Sequence, residues 1–298
     1  MFTRRIEHGL PLRRKIKEGK DTKENLTEQE IRNELNRLAP FHHKVELPYN
    51  LSTHIPELSR RPVEYTRLDN LVKHAFPALI EICGGSLNGK RVLDVACNCG
   101  GFSVEAARRN SEYVLGIDIV EHYIEQANFV KGVLDLEQVE FKLMDIESVN
   151  ESTVGLFDIT FCFGILYHLE NPILAMKRLS SVTKSIMLVD TDLMATGSSW
   201  DLVPAFIIRG KLGTMQRFFR KPLWFMNFPA VSSPGSKDAT SQLWTREQRC
   251  VEFTPNESAV VDLLKFLGFS KVEKLKPNQK GLEKRYYTGR RATFLAIR

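Results

Sequence analysis

From Lys90 onward, short apolar and β-branched runs alternate with segments of helical periodicity. Arg91 to Val95, Tyr113 to Ile117, Val139 to Leu143, Phe157 to Phe163 and Ser185 to Val189 read as strands, with helices near 102–109, 121–134 and 172–182 between them. Such alternation implies right-handed βαβ crossovers and a mostly parallel sheet with helices on both faces, an α/β fold. Ahead of it, Thr27 and Glu30 form a capping box and Leu26 with Ile31 a hydrophobic staple, which predicts a helix to about Leu38, stopped by Pro40. Phe41 to Pro48 reads as a strand or extended arm, and residues 63–82 as a helix kinked at Pro77. Between residues 193 and 250 the alternation stops. Trp200, Phe206, Phe218, Phe219, Trp224, Phe225 and Phe228 lie there among Gly and Pro, the pattern of an insertion packed over the edge or mouth of the sheet. Thr254-Pro255-Asn256-Glu257 reads as a second capping box with Pro at the first helical position, and its helix stops at Gly268. Two strands then follow, near Lys271 to Leu275 and Ala292 to Ile297. The expected organisation is an N-terminal extension, residues 1–62, and one domain over 63–298 that includes the 193–250 insertion.

Of 298 residues, 43% are hydrophobic, enough for a sizeable core, and this excludes a largely disordered chain. The longest apolar stretch, around Phe157 to Leu169, holds Asp158 and His168 and falls short of the roughly 20 residues a membrane helix needs, so no membrane role is expected. The first twenty residues are basic without a continuous apolar block, which argues against a secretory signal and for a cytoplasmic protein. Cys83, Cys97, Cys99, Cys162 and Cys250 have no repeating spacing and read as reduced thiols; no second Cys or His pair lies near Cys97 and Cys99, so no metal site is expected. The net charge of +6 is unevenly spread: residues 90–192 hold nine basic and sixteen acidic side chains, residues 1–24 eight and four, and residues 271–298 nine and two. The basic ends either meet an anionic partner such as RNA or are solvated tails.

The chemistry concentrates at the first strand-to-helix turn. Val92 to Val95 run into Ala96-Cys97-Asn98-Cys99-Gly100-Gly101, and ligands of open α/β sheets lie at such carboxyl ends. A dinucleotide would place its pyrophosphate here, where the Asp94 carboxylate opposes it. S-adenosylmethionine (SAM) has no phosphate and carries an ammonium and a sulfonium that the same carboxylate attracts. Asp118 ends the next strand, where it can accept from both ribose hydroxyls, and Asp145-Ile146-Glu147 follow the third strand within reach of adenine.

The runs Leu93-Asp94-Val95-Ala96-Cys97-Asn98-Cys99-Gly100-Gly101-Phe102-Ser103, Gly116-Ile117-Asp118 and Phe163-Gly164-Ile165-Leu166-Tyr167-His168-Leu169-Glu170-Asn171-Pro172 together resemble the class I SAM-dependent methyltransferases. Within these, the resemblance is to the branch holding tRNA wobble-uridine carboxymethyltransferases and related methyltransferases. It is dense over 90–192, looser over 251–298 and faint at Phe41 to Pro48. It implies a Rossmann-like, seven-stranded, mostly parallel sheet, with SAM as cofactor and S-adenosylhomocysteine (SAH) as product. It further implies that Ala96, Cys97, Asn98 and Gly100 cradle the methionine portion, that Asp118, Ile119 and Val120 hold the ribose, and that Ile146 and Glu147 border adenine. Phe163 and Tyr167 would wall the reacting end, and Arg291 would reach back from the last strand. Ala96 and Asn98 stand where this family usually has glycine. The residues that grip the carboxylate of carboxy-SAM have no counterpart in 50–90, so plain methyl transfer is expected.

Because the sulfonium donor is already activated, the protein's work is alignment and exclusion of water. A base helps only an acceptor of ordinary pKa, and the candidates are His168, Tyr167, Asp190, His42 and His43. Arg291 would bind an anionic group of the substrate if it points inward. Three readings follow: methyl transfer to a small or medium-sized acceptor, modification of RNA bound through the basic ends, and SAM binding without turnover.

Overall fold

A computed structural model describes residues 26–58, 67–194, 224–227, 252–277 and 282–298. The basic segment 1–24, Cys250 and most of the aromatic insertion lie outside the described residues.

Seven strands form one sheet: β1 (Arg91–Val95), β2 (Tyr113–Asp118), β3 (Val139–Leu143), β4 (Phe157–Phe163), β5 (Thr183–Asp192), β8 (Lys271–Lys274) and β9 (Arg291–Ile297), in the order β3-β2-β1-β4-β5-β9-β8. The first five are parallel, and β9 runs antiparallel to both β5 and β8. The order reverses between β1 and β4, which opens a crevice at their carboxyl ends. Helices α4 (Gly101–Ala107), α5 (Glu121–Val133) and α7 (Pro172–Val182) make the crossovers, with the short α6 (Glu151–Val154) before β4. Their apolar faces divide the core into two layers, one around Phe76, Phe102, Phe161 and Phe163, the other around Leu93, Ile117, Met187 and Phe294.

Helix α1 (Glu28–Leu38) has the predicted box, with Thr27 and Glu30 each bonding the other's backbone, a motif whose cap contributes about 1 kcal/mol. Gln126 of α5 donates to the carbonyls of Leu38 (2.7 Å) and Pro40 (3.0 Å), which ties this extension to the domain.

Three local expectations are corrected. The single helix over 63–82 is two, α2 (Arg67–His74) and α3 (Phe76–Ile82), parted at Ala75; Pro77 supports a new first turn instead of kinking an old helix. The cap of α8 (Glu257–Phe266) is Asn256, which accepts from Ala259 N at 2.9 Å. Thr254 and Pro255 belong instead to β7 (Glu252–Pro255), which pairs with β6 (Trp224–Asn227) in a separate two-stranded sheet. Finally, β5 extends to Asp192 because β9 pairs with it as far as Arg291, one residue before the predicted start of that strand.

Candidate functional site

The turn after β1 has positive φ at Ala96 (56°), Asn98 (52°) and Gly100 (80°). Gly100 opens α4 with its side-chain position filled by Phe141, whose ring would lie 2.6 Å from an added Cβ. Asn98 tolerates its conformation, but Ala96 carries a strain that glycine would not. Ala96→Gly is expected to stabilise the protein by about 0.5–1 kcal/mol, and thermal unfolding checks it. A lower midpoint in the variant would contradict the strain.

Two carboxylates face this turn from below. Asp94 is buried and accepts from Ser103 Oγ at 2.7 Å. Asp118 is also buried and accepts from Asn98 N (2.9 Å) and Val120 N (3.0 Å), so it holds the turn after β1 to the turn after β2. Neither forms an ion pair among the described residues. Burial pushes the Asp94 carboxyl up to about 7, against its Ser103 hydrogen bonds and with help from the nearby Asp118 charge. Burial raises Asp118 as well, partly offset by its backbone bonds. Two buried acids without a cationic partner form a site suited to a positive ligand.

Beside Asp118, Ile119 is 51% exposed and Val120 partly buried. Asp145 accepts from Glu147 N (2.8 Å) and starts a short 3-10 turn, Ile146–Ser148, that leaves Asp145 and Glu147 exposed at the end of β3. Cys97 and Cys99 are buried, and burial raises both thiols, Cys99 to about 11, so they fill space without reactivity. Among the described residues no cluster of His, Cys, Asp or Glu is placed to hold a metal.

The N-terminal arm closes one side. His43 Nδ1 accepts from Gly101 N at 3.2 Å and its ring packs edge-on to Phe102, while Thr53 Oγ1 donates to the His43 carbonyl at 2.6 Å. An added Cβ on Gly101 would lie 2.7 Å from that Nδ1. His43 therefore caps α4, the helix that starts at the turn.

At the other side, Phe163 ends β4 and stacks with Phe161. Tyr167 is buried in the 3-10 turn Leu166–His168 with its ring 4.2 Å from that of His168, which is exposed. Arg291 does not face open space. Its guanidinium, fully buried, pairs with Asp190 and with Asp192 (2.8 Å), and lies 5.9 Å from the rings of Tyr167 and of Tyr286 in α9 (Lys284–Tyr287). Asp190 also accepts from Tyr286 Oη and Thr293 Oγ1, both at 2.8 Å. The sequence reading singled out Asp190 and Arg291 but missed Asp192, Tyr286, Thr293 and His74, whose ring meets Tyr286. The register of β5 against β9 brings Asp190, Asp192, Arg291 and Thr293 together.

Residues 86–199 match a family model described as a methyltransferase domain. The ubiquinone biosynthesis O-methyltransferase of Neisseria meningitidis serogroup C (strain 053442) is 29% identical over 40% of this chain and 45% of its own length. The tRNA U34 carboxymethyltransferase of Helicobacter acinonychis (strain Sheeba) is 31% identical over 33% of this chain and 38% of its own length. The chain thus matches under half the length of these curated relatives. Among solved structures, the N-terminal domain of EvdMO1, crystallised with SAH and D-fucose, superposes with a TM-score of 0.61 at 18% identity, over 93% of this chain and 98% of that one. Residues 86–199 thus match a methyltransferase domain in sequence, and the described residues share their fold, a Rossmann-like sheet, with the EvdMO1 domain.

Proposed function

We propose that the chain is a SAM-dependent methyltransferase acting on a small or medium-sized acceptor. The observation that carries this is the pair of buried carboxylates, Asp94 and Asp118, without a cationic partner among the described residues at the turn after β1. A phosphate-bearing dinucleotide would meet repulsion there; a sulfonium and an ammonium would not. When bound, the cofactor supplies a methyl group already activated for displacement. Asp94, Ala96, Cys97, Asn98 and Gly100 hold its methionine end, Asp118, Ile119 and Val120 the ribose, and Asp145, Ile146 and Glu147 the adenine side. Phe163 and Tyr167 keep water from the reacting end. His168, exposed beside Tyr167, stands at the mouth of the site, where it orients the acceptor. Arg291, matched by Asp190 and Asp192, acts by positioning Tyr167 and not by gripping an anion. The buried thiols Cys97, Cys99 and Cys162 fit a reducing, cytoplasmic setting.

The pH response follows from Asp94. A carboxyl raised to about 7 on folding stabilises the free protein fully below about pH 4 and loses that contribution as pH rises through 7. A cationic ligand favours the ionised form, so SAM affinity should climb between pH 6 and pH 8, then level, with proton release at the lower end. Calorimetry in buffers of different ionisation enthalpy tests this, and Asp94→Asn should flatten the curve. An affinity independent of pH in the wild type would count against Asp94 in this role.

A second reading, modification of RNA, draws on the nine basic and two acidic residues of 271–298 and on the likeness to a tRNA-modifying relative. Its mark is retention of tRNA that weakens steeply from low to high salt. Retention that ignores salt, or no retention, would leave the small acceptor.

A further inference from the structure

His74, the last residue of α2, is 6% exposed, and neither ring nitrogen has a hydrogen-bond partner among the described residues. A neutral imidazole carries one donor and one acceptor, and leaving both buried and unpaired opposes folding. An apolar side chain of similar volume would avoid that cost. A polar group kept at a loss of stability points to a partner outside the chain's own fold.

Its position indicates which partner. The His74 ring stands edge-on to Tyr286, with centroids 5.6 Å apart, and Tyr286 donates to Asp190. Asp190 pairs in register with Phe163 at the carboxyl ends of β5 and β4, and its carbonyl accepts from Gly164 N at 2.7 Å. The residues assigned above to the cofactor occupy the ends of β3, β2 and β1. The next space along the sheet, over β4 and β5, is therefore where an acceptor meets the methyl group. Among the described residues, the two partly or fully buried arginines at that end are paired: Arg291 with Asp190 and Asp192, Arg285 with Asp192 and Glu283. The rings of Tyr167 and Tyr286 lie on either hand of Arg291.

We propose, resting on the methyltransferase reading, that His74 is the acceptor-binding group for an uncharged hydroxyl carried on a flat ring. The hydroxyl donates to the unprotonated ring nitrogen. As the O–CH3 bond forms, the S–CH3 bond breaks with its electron pair left on sulfur, and the hydroxyl proton passes to His74 and on to solvent. Burial lowers the affinity of His74 for a proton, against the opposing charge of Asp190, which keeps the imidazole free to accept.

The test is ligand-observed NMR on the full chain saturated with SAH, using phenol and benzoate as probes of the same ring with and without charge. Phenol should bind saturably and at least tenfold more tightly than benzoate. His74→Leu should weaken phenol at least tenfold while SAH affinity holds and the unfolding midpoint stays level or rises. Phenol binding that is absent, that survives His74→Leu, or that benzoate equals would overturn the proposal. If His74→Leu also loses SAH, His74→Phe, which keeps a flat ring of similar size without a polar atom, is judged by the same outcomes. Failure of the wild type to bind SAH would instead overturn the cofactor reading, and this proposal with it.

Discussion

Asp118→Ala is expected to weaken SAM binding at least 100-fold. The carboxylate accepts from Asn98 N on one oxygen and from Val120 N on the other, and a carboxylate oxygen can accept more than one hydrogen bond, which leaves capacity for the ribose hydroxyls. Two ribose hydroxyls bonded to a charged acceptor contribute about 1.5–3 kcal/mol each, and each 1.4 kcal/mol is a tenfold change in affinity. The variant also frees the N–H groups that couple the two turns, so part of the loss is a looser cradle. Asp118→Asn keeps one acceptor oxygen and should fall between the two. Isothermal titration settles the order; wild-type affinity in Asp118→Ala would refute the site.

Arg291→Met is expected to be the most destabilising single change outside the cofactor site. It strands Asp190, fully buried, with hydroxyl donors alone from Tyr286 and Thr293. Breaking a buried pair from one side costs about 3–5 kcal/mol, because the remaining charge loses its counter-charge in a medium that cannot solvate it. Asp190→Asn combined with Arg291→Met removes the stranded charge and should recover most of that loss. Urea unfolding of the four proteins gives the coupling directly. Additive losses would mean that the two groups do not share one interaction.

Where function was legible in the sequence, it was carried by local pattern. The turn from Asp94 to Gly101 announces itself because a strand running into small residues and then a helix has few other uses. Asp118 stands out by closing the next strand at a similar level. The parallel strands are apolar runs of the right length, and their order then follows from short right-handed connections. What stayed hidden depends on contacts distant in sequence. His74 is one histidine at a helix end, and nothing near it in the chain signals Tyr286, which lies in α9, far along the chain. Asp192 and Thr293 join the Arg291 cluster only through the antiparallel register of β9 on β5. The break at Ala75 and the cap at Asn256 were misplaced because two overlapping patterns compete at each. At Asn256 the pairing of β7 with β6 takes Thr254 and Pro255 into a strand and leaves the next residue to start the helix. The Ala96 strain was foreseeable as a methyl where glycine is usual, and the positive φ explains why glycine is favoured there.

With Asp94 and Asp118 at the ends of β1 and β2, the crevice is expected to hold a cationic sulfonium nucleoside and not a phosphate-bearing dinucleotide. Calorimetric titration of the wild-type chain at pH 8, with SAM and with NADH in separate runs, tests it most directly. One equivalent of SAM should bind, with no heat of binding from NADH. Binding of NADH in place of SAM, or of neither, would contradict it.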